Sequence, residues 1–256
     1  MTTVEAVLSV AVGLGAGVLS GLFGVGGGIV MTPGLSALAG LAPIVALATP
    51  LPVILPTAAV GAHTYHRAGE VDVRAAAWIS LTGAGASAVG AAFTRVVNAR
   101  FLLLVTAALL AWQSVQILRG RSRMASESDV RAIPTWTLVL LGLVAGLLSG
   151  LLGIGGGLVI VPALAGMLRL PLKRALGTSL VAVVVLVIPG TIVHAALGHL
   201  DWTAALFLVI GAVPGARLGA TIALGAKERT LRLMVGSFLT VVAVAYGVQQ
   251  AGELLW

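Results

Sequence analysis

Two short strings place three consecutive glycines in the middle of long apolar runs. They read SGLFGVGGG at 20–28 and SGLLGIGGG at 149–157. Glycine permits positive φ angles and lets a ligand approach closely, and a helix that restarts after the glycines presents N–H groups to an anion. The alternative is that the glycines only allow close helix packing. The predicted anion contacts are Gly26, Gly27, Gly28, Gly155, Gly156 and Gly157.

Hydroxyl side chains recur at a second pair of positions. Thr49 precedes Pro50, and Thr178 precedes Ser179, again among apolar residues. A hydroxyl donates to an oxyanion without the desolvation cost of a charge, although in membrane helices it also bonds back to the preceding turn. We predict that Thr49, Thr178 and Ser179 contact the anion, with asymmetric polar contacts because Pro50 has no hydroxyl.

Ionisable side chains add two further candidates. Arg217, in GAVPGARLGA, stands inside a predicted span, where a guanidinium binds oxyanions bidentately or snorkels to the interface. His63, His66 and His194 fall near the outer ends of the second span and its partner in the other half. They are candidates for proton transfer or gating, and the alternative is hydrogen bonding at the interface.

Several kinds of chemistry are missing from the sequence. No predicted span has a carboxylate near its centre, which favours an anionic over a cationic substrate. The sequence has no P-loop, no HExxH string and no cysteine. We therefore expect neither an enzyme nor a bound cofactor or metal.

The composition is that of a membrane protein. Hydrophobic residues make up 59% and charged residues 9% of the chain, whereas soluble domains carry about 25% charged residues. The mean hydropathy is +1.12. The net charge of +7 comes from basic residues scattered over short connections, which indicates membrane topology rather than nucleic-acid binding. We predict an all-α polytopic membrane protein whose partner is the lipid bilayer.

The chain consists of two related halves. At an offset of 129 residues, 13–34 matches 142–163 with 14 identities in 22 positions. The same register pairs Thr49 with Thr178 and Asp72 with Asp201, among others. The most hydrophilic stretch, 119–134, lies between the halves. The predicted domains are a first membrane repeat over 1–118, a cytoplasmic linker over 119–134, and a second repeat over 135–256.

Each half contains one long apolar stretch, interrupted by the glycines, and three ordinary spans. If the long stretch crosses the membrane once, six basic residues lie on the linker side and eight on the other. If the chain turns back at the glycines, the count becomes 12 inside and two outside. We therefore predict two inverted repeats, each with a Gly-broken hairpin or re-entrant element plus three transmembrane helices. The total is eight to ten membrane segments, and the long stretches and spans are 5–42, 44–62, 75–94, 101–118, 135–168, 175–195, 202–224 and 231–250.

At these residues the sequence resembles the TauE/SafE family of sulfite exporters. The matching features are the paired glycine strings, each followed by a proline at 33 or 162, GTSL at 177–180, and GAVPGARLGA at 211–220. The resemblance covers about 5–250. It implies a bacterial or archaeal membrane transporter for sulfur oxyanions or organosulfonates such as sulfite or sulfoacetate. Family members usually have seven or eight membrane segments, which is compatible with re-entrant loops.

These observations favour a secondary transporter in the bacterial or archaeal cytoplasmic membrane. Its small anionic substrate is expected near the midplane, between the inverted halves, with a proton or sodium ion as a possible coupling ion. The alternatives are an anion channel and a non-transporting membrane scaffold subunit. The sequence leaves the exact substrate, the direction of transport and the oligomeric state open.

Overall fold

A computed structural model describes residues 3–39, 41–94, 112, 115, 133–153, 155–237, 240–241 and 244, and all regular secondary structure in them is helical. The predicted span 101–118, nearly all of the linker 119–134 and much of 231–250 lie outside these residues. The described helices are α1 (Thr3–Phe23), α2 (Gly28–Ala39), α3 (Pro43–Ala48), α4 (Pro50–Arg67), α5 (Val73–Phe93), α6 (Thr135–Leu152), α7 (Gly157–Pro162), α8 (Leu172–Ala196), α9 (Trp202–Gly225) and α10 (228–237), and a π-helix (Ala163–Met167) directly follows α7.

Six stretches are long and apolar enough to cross a membrane, so the prediction of a polytopic all-α membrane protein is confirmed. They are Glu5–Phe23, Ile44–Arg67, Val73–Phe93, Thr135–Leu152, Leu172–Ala196 and Trp202–Gly225. Their outward faces carry exposed large apolar side chains such as Leu81, Ile192 and Leu206. A row of such side chains is costly in water and normal against lipid tails.

The helices repeat in the register that the sequence predicts. The residues Gly28 and Gly157, which are 129 positions apart, begin α2 and α7. Asp72 and Asp201 cap α5 and α9, and each carboxylate accepts a hydrogen bond of 2.9 Å from the N–H three residues later. Such caps satisfy N–H groups that a helix start leaves unpaired. In this register α1, α2, α4 and α5 correspond to α6, α7, α8 and α9.

Each outer helix pair joins one half to the other. In α1, Gly13, Gly17 and Gly21 face the backbone of α9 at Leu208, Ala212 and Ala216, in the same rising order. The two helices therefore run parallel. In the corresponding pair, Gly142, Gly146 and Gly150 of α6 lie on the backbone of α5 at Ile79, Gly83 and Ser87. Small residues at this spacing let helix backbones touch. The glycines of α1 and α6 therefore allow these helices to pack closely on α9 and α5.

The long helices α4 and α8 lie at the centre and run antiparallel. The start of α4 is close to the end of α8, because Thr49 contacts Asp201. The end of α4 is close to the start of α8, where a Cβ on Gly177 would lie 2.7 Å from the Tyr65 Cβ. Buried apolar side chains of both helices form much of the core, including Leu51, Ile54, Ala58, Leu176, Leu180 and Val183.

One end of the bundle carries nearly all of the positive charge that the described residues contribute. The end of α4, the starts of α5 and α8 and the end of α9 meet there, where Lys173 Nζ donates to the Leu224 carbonyl at 2.6 Å. Apart from Arg217, all the described lysines and arginines lie at or near this end, which we call the basic end. They are Arg67, Arg74, Arg169, Lys173, Arg174, Lys227, Arg229 and Arg232.

The glycine packing between α1 and α9 gives a stability prediction with a control on the same helix. Gly17→Ala places a methyl group against the Ala212 carbonyl, whereas Gly15 is exposed and has nothing within 4 Å of an added Cβ. We expect Gly17→Ala to destabilise the protein by about 1–3 kcal/mol. Gly15→Ala should leave the thermal midpoint of the detergent-solubilised protein unchanged or raise it. Equal midpoints for the two variants would contradict this packing.

Candidate anion site between two glycine turns

Both glycine strings form the same turn. The φ angles of Gly24, Gly26 and Gly27 are 68°, 95° and 83°. At the matching positions, Gly153, Gly155 and Gly156 have φ angles of 65°, 85° and 75°. Side chains other than glycine rarely adopt these left-handed angles. The left-handed backbone angles therefore require glycine at Gly26, Gly27, Gly155 and Gly156. Gly28 and Gly157 do not have such angles and begin helices.

The first turn sends the chain back along the helix it came from. A Cβ on Gly27 would lie 3.0 Å from the Ala16 carbonyl oxygen, and one on Gly34 would lie 2.8 Å from Val12. α2 therefore runs antiparallel to α1. All residues from 20 to 29 are buried. This satisfies the condition that irregular backbone at membrane depth be covered by protein or line a cavity.

The two turns touch each other at the centre of the protein. A Cβ on Gly157 would lie 2.6 Å from the Gly24 carbonyl oxygen and 2.7 Å from the Val25 Cα. Each turn also packs on the central helix of the opposite half. Gly24 lies against Leu176, and Gly153 lies against the carbonyl of Leu47, the residue 129 positions before Leu176.

The predicted hydroxyl residues link the two halves. The Asp201 N–H donates to Thr49 Oγ1 at 3.1 Å, and the Asp72 N–H donates to Thr178 Oγ1 at 2.8 Å. Both threonines are fully buried. These bonds use the oxygen lone pairs, so donation to a substrate by Thr49 and Thr178 stays a prediction.

Ser179 makes a contact that the first half lacks. Its hydroxyl donates to the Gly24 carbonyl at 2.8 Å, across the boundary between the halves. Pro50 occupies the matching position and has no hydroxyl to offer. The hydroxyl contact at this pair is therefore asymmetric within the protein, whereas the asymmetry predicted for contacts to the anion stays a prediction. Whether Ser179 also contacts substrate stays a prediction.

Two serines beside the turns were missing from our predicted site. Ser20 and Ser149, the first residues of the two strings, are fully buried. Within the described part of the chain, neither hydroxyl has a hydrogen-bond partner. A buried unpaired hydroxyl costs about 1–3 kcal/mol, so its presence calls for an explanation. The signal available in the sequence was their place in the repeated string.

A small cavity adjoins the first turn. It measures about 10 Å³ and is lined by Leu19, Ser20, Phe23, Val25, Gly27, Ile29 and Val30. This is room for about one water molecule, and it is too small for a sulfur oxyanion. Binding an anion there requires the walls to move apart.

A much larger cavity opens at the basic end. Its volume is about 440 Å³, and Lys173, Lys227, Glu70 and Glu228 contribute its charged walls. Leu172 also lines it, one helical turn before Leu176, on which the first glycine turn packs. The cavity therefore brings solvent to within about a helical turn of that glycine turn.

The ionisable candidates do not come together. Arg217 is exposed on α9, away from the glycine face that packs against α1. His63 and His66 are exposed near the end of α4, at the basic end, whereas His194 is fully buried near the end of α8. The expectation that all three histidines lie near outer ends is wrong, because α4 and α8 are antiparallel.

The histidine at the opposite end has a partner that we did not predict. His194 Nδ1 lies 3.1 Å from His199 Nδ1, and His194 Nε2 lies 3.3 Å from the Gly150 carbonyl oxygen. At the matching position in the first half, the Tyr65 hydroxyl donates to the Gly21 carbonyl at 3.0 Å. Each side chain thus contacts a glycine carbonyl of the corresponding helix, α1 for Tyr65 and α6 for His194. The chemistry of the two side chains differs.

Comparison with known proteins gives a consistent picture. The family model described as "Sulfite exporter TauE/SafE" matches residues 9–246. The Bacillus subtilis (strain 168) protein named "Probable membrane transporter protein YunE" is 29% identical over 92% of this chain and 95% of its own length. A "Probable membrane transporter protein" of Xylella fastidiosa (strain 9a5c) is 30% identical over 96% and 95% of the two chains.

An archaeal relative matches over a similar length. The protein named "Probable membrane transporter protein MJ0441" from Methanocaldococcus jannaschii is 27% identical over 93% of both chains. No solved structure matches the chain.

The link between Thr178 and Asp72 can be tested apart from transport. Thr178→Val keeps the shape of the side chain but leaves the Asp72 N–H without its acceptor. We expect a loss of about 1–3 kcal/mol, seen as a lower thermal midpoint in detergent. Thr178→Ser keeps the hydroxyl and should retain most of the stability. An undiminished midpoint for Thr178→Val would show that this bond does not hold the halves together.

Proposed function

The chain belongs to the TauE/SafE family of sulfite exporters and is a membrane transporter, and we propose that it carries a small sulfur oxyanion or organosulfonate by alternating access. Sulfite and sulfoacetate are representative substrates. We further propose that it resides in the cytoplasmic membrane of a bacterium or archaeon. Relatives from both kinds of organism carry the name of membrane transporters.

We propose that the two halves are inverted repeats, with the basic end in the cytoplasm. The antiparallel pairing of α4 with α8 supports inversion, because these helices correspond in the repeat. The counterparts α5 and α9 support it too, since α5 begins at the basic end and α9 ends there. The one-sided positive charge of the described residues gives the orientation by the positive-inside rule.

The proposed substrate site lies between the two glycine turns. The observation that carries it is the pair of buried serine hydroxyls, Ser20 and Ser149, each beside a turn and without a partner among the described residues. A hydroxyl that pays for burial without a protein partner is suited to donate to a transient ligand. The remaining proposed contacts are Gly26, Gly27, Gly28, Gly155, Gly156, Gly157, Thr49, Thr178 and Ser179.

The start of α2 strengthens the choice of an anion. Its first N–H groups point toward the turn, and helix N-termini attract negative charge. The described spans contribute no aspartate or glutamate near this point that would repel it. We leave Arg217 out of the site, because its exposed position on α9 fits a side chain that snorkels to the basic end.

In this proposal, the two threonine bonds act as a pair of gates. The bond between Asp72 and Thr178 joins the halves at the basic end, and the bond between Asp201 and Thr49 joins them at the opposite end. Both bonds are formed here, and the cavity beside the first turn is too small for the substrate. In the proposed cycle, rocking of one half against the other breaks one bond while the other stays closed.

Replacing the unpaired hydroxyls tests the site directly. Ser20→Ala and Ser149→Ala remove no protein hydrogen bond, so thermal stability should be unchanged or higher. A lost hydrogen bond to a charged substrate costs about 1.5–3 kcal/mol, which raises KM by about 10- to 150-fold. Uptake of labelled sulfite into proteoliposomes measures KM, with Ser80→Ala, another buried serine, as control. An unchanged KM in both variants would exclude these hydroxyls from the site.

The glycine turns can be tested with controls that carry the same backbone strain. Gly27→Ala and Gly156→Ala add a methyl group at left-handed positions that are also crowded. Gly69 and Gly198 have φ angles of 74° and 69°, but nothing lies within 4 Å of an added Cβ. We expect folded protein in all four alanine variants, but loss of transport only at Gly27 and Gly156. Equal transport by all four would remove the turns from the site.

The same assay separates the alternatives. The substrates to compare are sulfite, thiosulfate, sulfoacetate, taurine and chloride, each with purified protein in liposomes. Saturable flux of one sulfur anion supports the transporter. A flux that rises without saturation would favour an anion channel, and no flux of any anion would favour a scaffold subunit.

A further inference from the structure

A pair of histidines at the end opposite the basic end is placed to carry a proton. His194 is fully buried in the last turn of α8, and His199 is partly exposed in the turn that follows. The backbone N–H of His199 donates to the His194 carbonyl at 3.0 Å, which holds the two residues together. Their rings are 5.3 Å apart between centroids, with the two Nδ1 atoms 3.1 Å apart.

The neighbours of His194 define where its proton sits. The Gly150 carbonyl only accepts, so Nε2, at 3.3 Å, carries the hydrogen. A neutral imidazole then has a bare Nδ1, which must accept from His199. His199 is therefore the tautomer with hydrogen on Nδ1. This arrangement is a hydrogen-bonded chain from a partly exposed ring to a buried one.

Within the described residues, the helices packed against α8 bring no charge to this pair. They are α4, α5, α6, α7 and the π-helix Ala163–Met167, which has no ionisable residue. Of these, α6 and α7 contain no ionisable residue, and the ionisable side chains of α4 and α5 all lie toward the basic end: His63, Tyr65, His66, Arg67 and Arg74. In the turn itself, the Asp201 carboxylate accepts a hydrogen bond from the Ala204 N–H at 2.9 Å.

The pair exists in one half only. Tyr65 and Glu70 occupy the positions that match His194 and His199, at the basic end. The Tyr65 hydroxyl keeps the hydrogen bond to a glycine carbonyl, here Gly21 of α1. Unlike an imidazole, this hydroxyl does not accept a second proton. Among the described residues, the buried and partly exposed imidazoles are therefore paired at one end and replaced by a phenol and a carboxylate at the matching positions of the other.

We propose that His199 and His194 form a proton relay that couples transport of the anion to cotransport of a proton. In the relay, a proton enters His199 at Nε2 while His199 Nδ1 passes its own proton to His194 Nδ1. His194 becomes an imidazolium, and His199 remains neutral with its hydrogen on Nε2. One proton has entered and none is lost. This inference rests on the proposed function.

Cotransport follows from where the charge arrives. His194 contacts Gly150, the residue after Ser149, so the imidazolium forms beside the second half of the proposed anion site. In a low-dielectric interior, a positive charge and an anion stabilise each other, and each is costly alone. The proton and the anion are therefore loaded and released together.

The relay can be tested by comparing two transport modes in the same proteoliposomes. One is accumulation of substrate driven by a pH gradient, and the other is exchange of labelled for unlabelled substrate. For a singly charged anion, cotransport with one proton is electroneutral. A gradient of about one pH unit, acid outside, then supports up to about tenfold accumulation, whatever the orientation of the protein. We expect His194→Gln and His199→Gln to abolish this accumulation while retaining exchange of labelled for unlabelled substrate. Tyr65→Phe, which removes the matching contact, should keep both modes.

Three results would overturn the relay while leaving the transporter intact. They are full proton-driven accumulation by His199→Gln, accumulation by the wild type that ignores the pH gradient, and accumulation driven only by an alkaline exterior. Since His199 is partly exposed, its variant should fold even if His194→Gln does not. Loss of both accumulation and exchange in the wild type would instead refute the proposed function.

The tautomers provide a test that needs no substrate. The chain has 4 histidines, so 15N-imidazole NMR of the labelled protein is tractable with single-histidine variants for assignment. At neutral pH we expect hydrogen on Nε2 of His194 and on Nδ1 of His199. His199→Gln should alter the His194 Nδ1 signal. The opposite tautomer at His194 would overturn the relay, whether or not the protein transports an anion.

Discussion

The structure depends on reversing a polypeptide chain at membrane depth. A turn exposes backbone N–H and C=O groups that lipid cannot satisfy, so it survives only when protein covers it. Here each of two turns is covered by the other and by the central helix of the opposite half, through Gly24 on Leu176 and Gly153 on Leu47. The left-handed glycines are necessary for both the reversal and the close approach, because a side chain would strain the first and obstruct the second.

This mutual cover makes the two halves one folding unit. α1 buries its glycines on α9, α6 buries its glycines on α5, and the threonine bonds cross the boundary in both directions. Neither half has a complete core alone, since its turn and its outer helices find their partners in the other half. In the proposed transport cycle, the same interlocking would let a small rotation of one half act at both ends at once, because the central contacts are shared.

The sequence predicts the all-helical, membrane-spanning character of the described residues and the pairing of equivalent positions, because the repeat preserves residues with backbone roles. Matched aspartates that cap helices and matched glycines that need left-handed angles are visible without coordinates. The site is less predictable, because whether a hydroxyl is paired depends on neighbours far away in the chain. Thr178 and Ser179 are engaged by residues of the first half, whereas Ser20 and Ser149 are left without partners among the described residues. No local pattern distinguishes these cases, and none shows that Arg217 faces outward or that His199 meets His194.

Differences between the halves matter because the arrangement of corresponding helices is nearly the same in both halves. Two identical inverted halves would give inward-open and outward-open states of equal free energy, and nothing would distinguish the two faces chemically. Ser179 opposite Pro50 adds a hydrogen bond to only one turn, and the histidine pair opposite Tyr65 and Glu70 places a fully buried imidazole at only one end of the described bundle. Each substitution preserves the backbone contact that the fold requires while changing what the side chain can bind. In the proposed mechanism, duplication thus supplies the two halves that move, and divergence at a few buried side chains supplies a means of biasing the equilibrium between the two states.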